Sequence, residues 1–143
     1  MRPFAAAFML FVAAILPLAC GSNEPDDDDW VSVFGDENYT VSFAPDRLEL
    51  QAGGWYSVWY RTQHQRPRIH GEQAWNTETV RSLLRCDGLW FKIAEVRLTN
   101  NRRVVSRQRA SKDELELQRW RLVARGTSEE DIARMVCEHA GSP

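Results

Sequence analysis

Apolar and polar residues alternate along most of this chain with the two-residue period of β-strands. "WVSVF" (30–34) and "YTVSF" (39–43) alternate on either side of the turn-rich "GDEN" (35–38), which predicts a β-hairpin. "RLELQ" (47–51) follows Pro45 and is broken by Gly53-Gly54. "WYSVWYR" (55–61) carries the aromatic and β-branched residues that strands favour. "QHQRPRIHGEQAWN" (63–76) is polar and marked by Pro67 and Gly71, which predicts a long loop. In "TVRSLLRC" (79–86), Val80, Ser82, Leu84 and Cys86 fall on one side of a strand, and Thr79, Arg81, Leu83 and Arg85 on the other. Asp87-Gly88 suits a tight turn, "LWFKIAEVRL" (89–98) a long strand, and Asn100-Asn101 a second two-residue turn. "RRVVSRQR" (102–109) then returns, "SKDELELQ" (111–118) reads as a charged loop or short helix, and "RWRLV" (119–123) as a last short strand.

Near the C-terminus the period changes. Ala133, Val136, Cys137 and Ala140 share one helical face, widened by Ile132 and Met135. Thr127 or Ser128 can cap this helix, Ser128 with Asp131 three residues on resembles a capping box, and Glu129, Glu130 and Asp131 suit the positive end of the helix dipole. These elements predict an α+β domain over residues 30–143: a meandering antiparallel sheet with one C-terminal helix packed on it.

The first thirty residues follow a different pattern. Met1-Arg2-Pro3 precedes an apolar run from Phe4 to Leu18. The run is short for a transmembrane helix, which needs about 20 residues, and fits the hydrophobic region of an export signal. Two cleavage patterns compete. Ala19 and Gly21 would serve an ordinary signal peptidase, with cleavage after Gly21. Leu18-Ala19-Cys20, followed by Gly-Ser, resembles a bacterial lipobox, with Pro17 where leucine is usual. The second pattern is preferred. It implies a signal peptide at 1–19, acylation at Cys20 and membrane attachment through that lipid. "GSNEPDDDD" (21–29) cannot bury apolar surface, so residues 20–29 are expected to form an extended, flexible acidic tether. About ten residues can reach roughly 30 Å.

Charge sharpens the division. The 143 residues carry a formal net charge of −2, which implies no bulk attraction to nucleic acid. Between Cys20 and Tyr60 nine acids face one base, Arg47, whereas from Arg61 to Arg125 bases outnumber acids about two to one. A cationic body thus follows an acidic stem.

With Cys20 assigned to lipid, Cys86 and Cys137 remain as an even pair. In an oxidising compartment such a pair is expected to bond and to tether the helix across the sheet. Two buried free thiols are the alternative. No CxxC spacing points to zinc or redox chemistry.

Among candidate binding residues, Arg103, Arg107 and Arg109 would project on one side of a regular strand, together with Val105. Bidentate arginine contacts could hold a matrix protein, a heparin-like polymer or an acidic polysaccharide there. The plainer alternative is a solvated strand whose arginines discourage edge pairing. Trp55, Tyr56, Trp59 and Tyr60 cannot all share a face, so one set is expected in the core and the other as surface cover. His64, His70 and His139 lack the convergent partners of a metal site, and no catalytic motif or phosphate-cradling loop stands out. No metal, cofactor or enzymatic activity is expected.

Residues Trp30 to Cys137 resemble the surface-adhesin protein E-like domain of bacterial envelope proteins. The resemblance is carried by "VWYR" (58–61), Cys86, "IAEVRL…RRVV" (93–105) and "WRLVARGTSEEDIARMVC" (120–137). It implies an antiparallel sheet with a C-terminal helix tethered by a disulfide, and an outer-membrane lipoprotein that binds a macromolecule such as a host matrix protein. Three functions stay open: an adhesin-like binding module, a periplasm-facing structural or assembly lipoprotein, and a small-molecule binder.

Overall fold

The computed structural model of the chain describes residues 24–141. Eight antiparallel strands form one open sheet: β1 (Val31–Gly35), β2 (Tyr39–Phe43), β3 (Glu49–Leu50), β4 (Tyr56–His70), β5 (Gln73–Arg85), β6 (Trp90–Asn100), β7 (Arg103–Arg109) and β8 (Arg121–Leu122). The order across the sheet is β1-β2-β4-β5-β6-β7. The short β3 and β8 pair with the remaining lengths of β4 and β6. A short helix α1 (Lys112–Leu117) precedes β8, and α2 (Ser128–His139) covers one face of the sheet. The fold is α+β, as the patterning implies.

The core lies between that face and α2. Val41, Phe43, Val58, Tyr60, Val80 and Leu84 meet Val123, Ile132, Ala133, Val136 and Cys137. Val136 is fully buried and Ile132 nearly so. Burial of each such side chain contributes about 2 kcal/mol. Thr127 caps α2 by accepting a hydrogen bond from the Glu130 backbone N–H, so the Ser128/Asp131 box does not set the start. Cys86, beyond the end of β5, is disulfide-bonded to Cys137, with Cα atoms 5.7 Å apart. The bond bridges a separation of 51 residues, for which chain-entropy arguments give roughly 4 kcal/mol.

Two local differences from the sequence pattern have physical causes. Residues 63–76 form the far half of a β-hairpin rather than a loop, with strand pairing from His70↔Gln73 back to Arg68↔Trp75. Pro67 falls where the register breaks between Gln63 and Arg68, a position that needs no ladder N–H. Gly71 turns the tip with φ of 62°. The β6–β7 turn falls one residue later than expected, on Asn101 and Arg102, with φ of 47° and 72°. Both are left-handed, as a type I′ turn requires, and glycine would ordinarily take the second position. Of the two readings of "SKDELELQ", loop or short helix, the structure takes the helix, begun by a reciprocal box between Ser111 and Glu114.

Candidate functional site: the open face of the sheet

Residues directly opposite one another in an antiparallel ladder share a face. The register therefore builds the face away from α2 row by row. One row runs Trp59–Arg81–Glu95–Arg109, and the next Ser42–Arg61–Thr79–Arg97–Arg107. A third runs Thr40–Gln63–Thr77–Thr99–Val104. Five arginines thus stand on a face that is otherwise mostly hydroxyl and amide.

A β-bulge puts the one acid of these rows in place. Ile93 opposes Ser82 while Glu95 opposes Arg81, so Ala94 is an extra residue in β6. Ile93 and Glu95 are two apart and would share a face in a regular strand. The bulge sends Ile93 to the core and Glu95 to the open face. Glu95 is 1% exposed. The Arg107 Nε and an Nη donate to its Oε1 at 2.8 and 2.7 Å, and Arg109 Nε lies 3.6 Å from Oε2. A buried carboxylate needs such partners, so these two arginines hold the fold together as well as colouring its surface.

A second bulge, at Val105, divides the predicted arginine row. Arg107 pairs with Arg97 but Arg103 pairs with Asn100, three residues further along regular β6. Arg103 therefore lies on the opposite face from Arg107 and Arg109. The expected row of three does not form as one surface, because the bulge inverts the alternation between its members.

The arginines that sequence patterning did not single out are more central. Arg61, Arg81 and Arg97 are partly buried, and burial holds the pKa of each below the usual guanidinium value. Arg107 beside Arg97 and Arg109 beside Arg81 add like-charge repulsion. The Nε donors of Arg61, Arg81 and Arg97 are buried with no hydrogen-bond partner among the described residues. The Arg61 guanidinium lies 4.6 Å over the Trp30 ring, and that of Arg81 lies 5.9 Å from the Trp59 ring. Of the four aromatics in "WYSVWYR", Tyr60 is in the core and Trp59 on the open face, as alternation requires.

The acidic stem folds onto this face. Charge pattern predicts an extended tether over 20–29. Cys20 and residues up to 23 lie outside the described residues, but from Glu24 onward the structure differs. Pro25 is buried and Asp27–Asp29 form a 3-10 turn. Glu24 pairs with Arg97, Asp27 lies 2.9 Å from Arg102 and 3.8 Å from Arg61, and Asp29 bonds Arg47 at 3.0 Å. The Asp26 backbone N–H and Arg47 hold the Asp29 carboxyl below the usual carboxylate range. Like charges that repel along a free chain are here offset by arginines from β4, β6 and two connecting segments. Between this acidic strap and the sheet lies a polar cleft of about 530 Å³, lined by Glu24, Trp30, Arg61, Thr79, Arg97 and Asn101 among others.

Two of the three histidines pack against aromatic rings. His64 lies edge-on to Trp75 at 5.3 Å, and His139 edge-on to Phe43 at 6.3 Å. Comparisons of the chain with protein-family models, with curated proteins and with solved structures find no match.

Proposed function

We propose that this chain is a lipid-anchored protein of a bacterial cell envelope, outer-membrane in type, whose folded body is a non-enzymatic module that binds an anionic macromolecule on its open sheet face. The observation that carries this reading is the placement of three partly buried arginines, Arg61, Arg81 and Arg97, side by side in the middle of that face. Guanidinium groups recognise carboxylate, sulfate and phosphate through paired hydrogen bonds. Membrane attachment rests on the lipobox-like Leu18-Ala19-Cys20 and the run before it. The Cys86–Cys137 disulfide is compatible with an oxidising compartment. The resemblance to the surface-adhesin protein E-like domain supports an adhesin-like role, with a host matrix protein or an acidic glycan as partner.

A solid-phase screen of the protein against matrix proteins and acidic glycans tests the binding role. Arg61→Gln/Arg97→Gln is the control, because Arg107 and Arg109 hold a buried carboxylate and their loss would disturb the fold. Binding is expected for the wild type and lost in the double variant; equal signals from the two would remove this face from the reading. Intact mass before and after reduction reports acyl groups on Cys20.

The strap favours a second reading. Carboxylates already sit on Arg61, Arg97 and Arg102, as they would if the face served only to fasten the stem in a periplasm-facing structural or assembly lipoprotein. Protease shaving of intact cells separates the two: a body digested from outside supports the adhesin-like role, and one protected until the outer barrier is broken supports the other.

A further inference from the structure

The strap supplies its own evidence of what the face takes. Its carboxylates reach three arginines spread over two strands and a turn, Arg61, Arg97 and Arg102. It leaves beneath it a cleft whose walls are mostly neutral: Gln63, Asn76, Thr77, Thr79, Thr99 and Asn101. That lining offers six hydroxyl or amide side chains to three guanidiniums, two for each. A ligand complementary to it carries about two hydroxyls for each carboxylate, as a chain of uronic acids does. A uniformly charged polyanion would leave most of the lining unused.

Resting on the binding reading above, we infer that the sheet face of β4 to β6 covered by residues 24–30 binds an acidic oligosaccharide, and that the Glu24–Asp29 strap is a built-in competitor that must be displaced for the ligand to enter. The strap is fastened mainly by charge. Asp27 and Arg102 are largely exposed, so their pair is weakened by salt, whereas the core on the other face is not. Arg102 holds its place at φ of 72°, a backbone region costly for any residue with a side chain. Glycine at 102 would relieve that strain while removing the charge, which separates a loss of binding from a loss of folding.

The experiment uses the full mature chain in detergent and a galacturonate tetrasaccharide as probe, with titration calorimetry at two salt concentrations. Glu24→Gln/Asp27→Asn keeps the strap's length and removes two of its charges. With the strap closed, apparent affinity falls by the fraction of molecules that are open, so this variant is expected to bind about tenfold tighter than wild type. Arg102→Gly is expected to bind several-fold more weakly while melting at a higher temperature. In hydrogen exchange of the wild type, the Asp26 and Asp29 amides, bonded to Asp29 Oδ2 and the Asp26 carbonyl at 2.9 and 3.1 Å, should exchange faster when the sugar saturates the site.

If Arg102→Gly and Arg61→Gln/Arg97→Gln weaken binding but the strap variant leaves affinity and exchange unchanged, the strap is no competitor and the inference fails while the binding face stands. If polyglutamate binds and frees the strap and the sugar does not, the ligand class is overturned. If the strap variant binds neither probe, the inference falls, and a negative macromolecule screen would take the binding face with it.

Discussion

The two faces of this sheet are closed in opposite ways. On one, Ile132, Ala133, Val136 and Cys137 of α2 pack on apolar rows, and a disulfide fixes the helix to the end of β5. On the other, six residues of acidic chain lie over arginines, threonines and amides, held by ion pairs. Hydrophobic burial and a covalent bond make the first cover insensitive to charge screening. Charge makes the second responsive to it. One sheet can thus carry a permanent lid and a releasable one, and the difference is set by which residues alternate on β4, β5 and β6.

That contrast can be tested by removing what closes each side. The largest effect is expected from Cys86→Ala/Cys137→Ala, which should lower stability by about 4 kcal/mol in denaturant unfolding, with reductant reproducing most of the loss in wild type. Arg107→Ala comes next. It leaves Glu95 buried without its two short hydrogen bonds, a loss of about 3 kcal/mol by thermal unfolding. A further Glu95→Leu change should recover much of that loss, because an apolar residue there demands no partner. Arg102→Gly should act in the opposite sense, raising stability by about 1 kcal/mol through relief of a left-handed backbone.

The smallest effect concerns the rim of the helix-covered face. Burial and the nearby Glu129 raise the Glu78 pKa above the ordinary glutamate value, and Arg68 partly offsets this. A raised carboxyl pKa contributes stability that is full below the unfolded-state value and is lost as pH rises through the folded-state value. Glu78→Gln should therefore melt higher than wild type at pH 7, and the gap should close by pH 4. A gap that persists at pH 4 would mean that charge is not the reason.

How far the sequence showed these faces depends on where alternation was regular. Val80, Ser82 and Leu84 on β5 announced the core side because no bulge interrupts them, and the 3.6-residue spacing of Ala133, Val136 and Cys137 announced the helix. The open face was hidden by two bulges. In β6 the apolar positions run 91 and 93, then 96 and 98, a change of parity that marks an extra residue between them. That shift was visible in the sequence and would have placed Glu95 and Arg97 beside Arg61 and Arg81. The hairpin beyond His64 was less accessible: its polar residues are exposed on both sides, so pairing there rests on backbone bonds that leave no apolar pattern. The strap could not be read at all, because an acidic run is equally consistent with solvent or with a cationic surface until the fold has assembled that surface.

Glu24 stands four residues after Cys20 and Trp30 ten. If acyl chains enter the bilayer at Cys20, the docked segment keeps the body within roughly 14 Å of its attachment point, and undocking lets it rise to roughly 30 Å. Ligand capture would then change altitude as well as occupancy, so a bound molecule would be carried outward from the membrane by the same event that admitted it.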